Sequence, residues 1–392
     1  MIFLRAKEKK GITLIALVIT IIVLLILAAV TIGALTGDNG ILTRASESKE
    51  KTEEAKKDEQ KRLTALEAAT NMEQTIHEEN GIKVKIPKGF AVSQAEGENK
   101  IATGLVVVDS QGNEYVWVPV TKDEDGTPTD PYTESNGKLT KQDGTQVEIQ
   151  LGRYSFNSTT GVPSAYYGPF TEDIVGNHNS EYKNIIAKDI EGFKESVKTN
   201  GGYYIGRYEA GIEGGTLTSE ENSEKSTDWT GYTGDNMKLV SKSGATVWNY
   251  ITQNRAANLC QNLANEYEGV TSDLINSYAW DTAIVYIQNC GTNNNYANQI
   301  GVSTTRTLSK AGETVLAEGS EANKNDVQCN IYDMAGNYRE WVTETYNNSS
   351  LPCVYRGGSY HDSDIYTSAR NIGRTTSFDI DLSFRPLLYL QI

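Results

Sequence analysis

The chain has little of what thiol and transition-metal chemistry needs. Its three histidines, His77, His178 and His361, are scattered over 392 residues, which argues against a three-histidine iron site. Its four cysteines, Cys260, Cys290, Cys329 and Cys353, show no C-x-x-C spacing, which argues against a zinc site. Outside a cell they allow one or two disulfides; packed in a core they need no partner. Cations are short as well: 36 Lys and Arg face 51 Asp and Glu, for a net charge of −15. Nucleic-acid binding depends on neutralising phosphates, so no nucleic-acid partner is expected. Phenylalanine is scarce, seven against 22 tyrosines, while glycine is plentiful at 35. That balance suits a loop-rich extracellular domain with amphipathic aromatics. At 38% apolar and 22% charged residues the chain can still bury a core.

Charge is absent altogether from Ile12 to Leu35. As a helix this run extends about 36 Å, enough to cross a hydrocarbon core of about 30 Å. Arg5, Lys7, Lys9 and Lys10 precede it, which keeps the N-terminus cytoplasmic and sends the rest outside. A signal peptide has a shorter apolar region, about 7–15 residues, so residues 12–36 read as a membrane anchor. Residues 37–80 turn to Ala, Glu and Lys, with no Pro or Gly between Ile41 and Asn80. They read as a charged helical stalk whose last turns dock on a head. The junction KKGITLIALVITIIVLL resembles a type IV prepilin. The resemblance implies a leader of residues 1–11, cleavage after Gly11 by a prepilin peptidase, a mature chain starting at Ile12, and pilus subunits as partners. Ala16 departs from the pattern, because major pilins carry a glutamate there that registers each new subunit.

The head, residues 81–392, opens with β-branched runs: KVKI (Lys83–Ile86), GLVVVD (Gly104–Asp109) and EYVWVPV (Glu114–Val120). Ser110 to Asn113 makes a hairpin turn between the last two. Residues 121–200 are turn-rich and read as long surface loops with few regular elements. GGYYIGRYEAG, Gly201–Gly211, is a further strand. A helix capped near Thr252 places Ala256, Leu259, Leu263 and Tyr267 on one face, and a second places Trp280, Ile284 and Ile287 together.

YYIGRYEAG, VWNYITQNRAANLC, AWDTAIVYI, NIYDMAGNYREW, YRGGSY and SFRPLLYL follow one another in the order seen in formylglycine-generating-enzyme-like (sulfatase-modifying factor) domains. From about Ile82 to its end the chain resembles that family. The resemblance implies an α+β fold, with a C-type-lectin-like head on the long N-terminal helix. Family members hold a calcium ion in the DMAGNYREW loop. The matching positions are Asp333 and Glu340 through carboxylates and Gly336 and Tyr338 through backbone carbonyls, oxygen ligands of the kind calcium takes. Such an ion braces a loop and does no chemistry. Copper-dependent members keep a cysteine pair shortly after R-G-G-S, here Arg356–Ser359. The matching stretch, Tyr360 to Tyr366, contains no sulfur. Thiol–metal oxidation therefore lacks its ligands, and neither a redox metal nor enzymatic activity is expected.

From Thr345 to Leu390 there is no Lys, Glu, Gln, Met or Trp, the five residues that codons ending in C cannot encode. Some proteins of this fold are targets of diversity-generating retroelements, which mutate adenines in AAC-type codons and vary the exposed binding face. The expectation is a surface-anchored, pilin-like adhesin or receptor on a bacterial cell, with an extracellular protein or glycan as ligand. Contacts are expected from Tyr360, His361, Asp362, Asp364 and Tyr366, and from Arg374, Thr376, Phe378, Asp379 and Asp381. Arg356, Arg370 and Arg385 are expected to tie strands together. The competing readings are a minor pilin subunit that initiates or caps a filament, and a divergent oxidoreductase.

Overall fold

A computed structural model describes residues 73–172, 187–214, 237–302, 315–316, 326–348, 350–360, 362, 364–377 and 379–392, with 49, 56–57, 60, 63–64, 66 and 68–69 of the preceding helix. The chain divides into two units, Met1–Gln60 and Lys61–Ile392. The leader, Gly11, Ile12 and the apolar run lie outside the described residues, as do His361 and Phe378. Among the described residues no helix is long and apolar enough to cross a membrane. Leu66 and Ala69, from the last helical turns before the head, pack on Ala91 and Val108.

A hairpin of β1 (Thr75–Glu79) and β2 (Ile82–Ile86) turns Ile82, Val84 and Ile86 inward by simple alternation. Next come β3 (Phe90–Val92), β4 (Leu105–Asp109) and β5 (Glu114–Pro119). Both β4 and β5 are covered on two faces, which is why their sequences are nearly unbroken apolar runs. The turn between them is held by Asp109, whose carboxylate accepts from the Gln111 and Asn113 amides, each at 2.8 Å.

The regular elements within residues 121–200 include a helix. After β6 (Phe170–Thr171), α1 (Ile190–Asn200) forms with Asp189 as N-cap, accepting from Gly192 N at 2.9 Å. Phe193 and Val197, one turn apart, are its buried face, and Gly201 closes it in the left-handed region at φ 74°. Three apolar side chains in eleven gave too thin a stripe to stand out from the polar loops. Then follow β7 (Gly202–Gly206), α2 (Gln253–Leu263), β8 (Val270–Leu274) and α3 (Ser277–Cys290). Thr252 is the N-cap position of α2, but the helix buries Ala256, Ala257 and Cys260 and ends at Leu263. Tyr267 lies past that end and packs at a tilt against Phe90, with ring centroids 4.8 Å apart. The middle of α3 is buried all round, so it shows no polar face.

The last third supplies β9 (Val327–Gln328), β10 (Ile331–Tyr332), β11 (Arg339–Tyr346), β12 (Cys353–Arg356), β13 (Arg370–Gly373), β14 (Leu382–Phe384) and β15 (Pro386–Leu390). One sheet runs β8-β15-β7-β5-β4-β3; the other runs β6-β11-β12-β13, with β14 joining β11 in parallel. Trp117, Trp280 and Trp341 are fully buried, with Trp280 in the larger core and Trp341 in a second cluster with Cys260, Cys353 and Phe384. Short mixed sheets, three helices among the described residues of the head and long connections make an α+β architecture consistent with the C-type-lectin-like expectation.

Candidate binding site

Neighbouring residues at the start of β11 are tied to different parts of the head. Glu340 is fully buried and accepts from Arg385 through both oxygens, Nη2 at 2.6 Å. Arg339 is part-exposed and reaches two loops at once. Its Nε donates to Asp362 Oδ2 at 2.9 Å and its Nη1 stands 3.6 Å from Asp381 Oδ2. Its guanidinium carbon lies 5.5 Å from the centroid of the Tyr355 ring. Ser359 Oγ sits 2.8 Å from an oxygen of Asp362 and 2.8 Å from one of Asp381. Burial opposes the Asp362 charge, but the hydrogen bonds from Arg339 and Ser359 outweigh it and hold that carboxyl below its usual range. The Arg339 charge is likewise held, against desolvation, by Asp362 and Asp381.

Over this ion pair opens a cleft of about 390 Å³. Arg339, Tyr355 and Asp381 form its floor, Ile372 and Leu382 an apolar wall, and Arg374, Thr376 and Asp379 its rim. Arg374 and Ser377 close the rim turn by exchanging hydrogen bonds at 2.9 and 3.0 Å. The Asp379 carbonyl accepts from Tyr250 N at 3.0 Å, with Tyr250 held at φ 50°. The expected contact residues thus divide. Arg374, Thr376 and Asp379 are exposed at the cleft, while Asp381 is buried beneath it. Tyr360 is a correction: it is buried, its ring 5.4 Å from that of Tyr338, and burial with Asp381 pushes its hydroxyl up to about 12. Asp364 and Tyr366 are exposed on the loop that carries Asp362, but they do not line the cleft. That loop leans on residues 297–299, through Thr367 N to Gln299 O at 3.0 Å and Ser368 N to Ala297 O at 3.1 Å. Sequence reasoning missed Arg339, Tyr355 and Tyr250. No alternation marked Arg339, since Glu340 to Thr345 after it are all buried and Arg339 itself stands part-exposed at the end of the strand.

Beneath the two loops lies a buried ionic layer. Arg356 meets Asp281 at 2.6 Å, and Arg370 bridges Asp281 at 2.5 Å and Glu344 at 3.0 Å. Arg153 also pairs with Glu344. These contacts lock β12 and β13 to α3 and β11, so both loops leave from a fixed frame.

Residues 251–388 match the sulfatase-modifying factor enzyme 1-like domain. That part of the head is similar to this family. Among solved structures the chain is similar to CarF, at 15% identity and a TM-score of 0.30 over 49% of this chain and 87% of that one. It is also similar to Treponema denticola variable protein 1, at 14% identity and a TM-score of 0.21 over 81% and 99%. Likeness at that level fixes neither ligand nor role. No curated protein matches.

Within this sulfatase-modifying-factor-like head, Cys353 precedes the R-G-G-S turn and is sealed among apolar side chains with Trp341 and Phe384. Among the described residues no group of three or more His, Cys, Asp and Glu side chains is arranged to hold a metal. The calcium expected at the DMAGNYREW loop needs only two carboxylates, the rest being carbonyls. Asp333 and Glu340 are both buried, and with Glu209 they surround one cation, Arg385. Glu209 accepts from Tyr338 N at 2.9 Å and Asn337 Nδ2 at 2.5 Å. Burial first, then the charges of Asp333 and Glu340, push its carboxyl well above the usual range. With a proton kept on Glu209, Asp333 and Glu340 still face one guanidinium, and the remaining negative charge is an environment a divalent cation fits.

Proposed function

We propose that the head is a ligand-binding scaffold that works without catalysis, and that the cleft over Arg339 is its contact site. The carrying observation is the contrast between floor and rim. The floor is an ion-paired, hydrogen-bonded unit joining two loops, whereas Arg374, Thr376 and Asp379 project from it with exposed side chains. A rigid base under exposed, replaceable side chains limits the ordering cost of binding. The sequence bias over Thr345–Leu390 fits the same division. Buried Val354, Arg356 and Ser359 keep the frame, while the exposed Asp364, Tyr366, Arg374, Thr376 and Asp379 can change without disturbing the core. Diversification of those exposed positions belongs to this proposal.

The proposal places the head outside a bacterial cell on a pilin-like membrane helix and stalk, taking an extracellular protein or glycan. The absence of sulfur from Tyr360 to Tyr366 supports binding over oxidation. A calcium ion would be held by Asp333 and Glu340 with the carbonyls of Gly336 and Tyr338, and would brace the loop that carries Arg339. The test is display of the full chain on cells, scored for adhesion to protein and glycan arrays. Adhesion lost on Arg374→Ala with Asp379→Ala supports the cleft; adhesion unchanged in that double variant rules it out.

A further inference from the structure

Two of the four cysteines, both free thiols in the structure, lie near each other where the end of α3 passes the β9–β10 hairpin. Cys290 is the last residue of α3 and is part-exposed; Cys329 is buried in the hairpin turn. A Cβ added at Gly291, the residue after Cys290, would lie 3.5 Å from the Cys329 sulfur. Gln328 ties the same segments together, its Oε1 accepting from Thr292 N at 2.9 Å and Thr292 Oγ1 at 3.1 Å. The Cys329 thiol also lies against Tyr286, which precedes Cys290 by one helical turn and so shares its face.

The turn itself is unusual for its sequence. Gln328 pairs with Ile331, leaving Cys329 and Asn330 as a two-residue hairpin loop at φ 49° and 61°. That is a type I′ turn, in which asparagine and glycine are favoured at both central positions. Asn330 suits its place, and its Nδ2 donates to the carbonyls of Gly97, Thr103 and Gly104. Cysteine at φ 49° gains nothing from the turn conformation and bears a left-handed penalty, so the turn itself gives no reason for a cysteine there.

We propose that Cys290 and Cys329 are joined by a disulfide when the head folds in an oxidising compartment. Two S–H bonds give one S–S bond. The two protons and two electrons pass to an oxidant of the disulfide class, oxidised glutathione or an exported thiol oxidoreductase, which leaves as two thiols. The bond closes a loop of 40 residues and pins the hairpin that leads into the DMAGNYREW loop. Burial pushes the Cys290 thiol up to about 12, so the bond forms as these elements come together and the finished reduced head oxidises slowly. Cys260 and Cys353, in the separate cluster around Trp341, stay as thiols and serve as the internal control.

The full chain, refolded in a glutathione redox buffer, is alkylated under non-reducing denaturing conditions and mapped by mass spectrometry. Two alkylated cysteines, Cys260 and Cys353, with a linked Cys290–Cys329 peptide pair are expected. Reduction should lower the melting temperature by about 5–10 °C, the scale of a long-loop cross-link. Cys290→Ser should abolish that dependence without lowering the melting point of the reduced protein. Cys329→Asn should abolish it while raising the melting point of the reduced protein, because asparagine suits the turn. Four free thiols after oxidative refolding, or a link through Cys260 or Cys353, would overturn the proposal.

Discussion

Arg339 Nε meets Asp362 Oδ2 at 2.9 Å, joining the first strand residue after the DMAGNY turn to the loop that follows R-G-G-S. One cation therefore sets the spacing of two loops, because Asp381 lies within 3.6 Å of the same guanidinium. Arg339→Ala should strand two largely buried carboxylates. The Arg339 side chain is 25% exposed, so the loss should fall below that of a fully buried pair, at about 2 kcal/mol. Urea unfolding of the variant checks this, and a change under about 0.5 kcal/mol would mean the loops hold their places without it.

The rim should behave in the opposite way. Arg374→Ala and Asp379→Ala remove exposed side chains, so each should alter stability by less than about 0.5 kcal/mol. Each should nonetheless weaken binding to an array-selected ligand by about tenfold or more, near 1.4 kcal/mol. Paired melting curves and binding isotherms separate the two effects.

The ionic layer below is less forgiving. Asp281 carries Arg356 at 2.6 Å and Arg370 at 2.5 Å, and its carboxyl is held below its usual range by those two guanidinium groups in spite of burial. Asp281→Asn keeps the shape and removes the charge. A loss of about 3–5 kcal/mol is expected, read as a lower denaturation midpoint at unchanged slope.

Legibility in the sequence followed physical contrast. β4 and β5 were readable because two-sided burial leaves unbroken apolar runs, and α3 because Trp280, Ile284 and Ile287 recur at helical spacing. α1 was hidden, since Phe193 and Val197 are its only fully buried large apolar residues and the polar segment around it resembles a loop. The exposure of Arg374, Thr376 and Asp379 agrees with the polar composition of their segment. Tyr360 was not: a tyrosine next to a polar loop gives no sign that its ring will turn in against Tyr338. Nor could spacing show that Arg339 closes on Asp362 and Asp381, since ion pairs across 23 and more residues depend on how the loops return.

Stability should fall as pH rises through the weakly acidic range. Burial raises Asp273 to about 7 and Asp326 to about 6. Each therefore keeps its proton in the folded state at pH values where the unfolded chain, with a carboxyl near 4, has released it. The folded state binds more protons in that window, so its advantage is complete below about pH 4 and is lost on the way up to about pH 7. For Asp273 the full span is up to about 4 kcal/mol. Denaturation midpoints at pH 4.5 and 7.5 should differ in that direction, and Asp273→Asn should shrink the difference. Stability that rises across this interval would show that both acids are ionised in the fold.

Calcium should act on the loop beneath the cleft. Asp333, Glu340 and Glu209 share one guanidinium, Arg385, so a divalent cation there would replace a proton as the balance for the remaining charge. Adding calcium to chelator-treated protein at about 100 times its dissociation constant should stabilise the fold by about 2.7 kcal/mol. Asp333→Asn is the discriminating variant. Asp333 sits at φ 64°, a conformation asparagine tolerates, so the backbone is kept while the charge is lost. Calcium should then no longer raise the melting temperature. A melting curve of the parent protein indifferent to calcium would leave Arg385 and a proton on Glu209 as the balance of this loop.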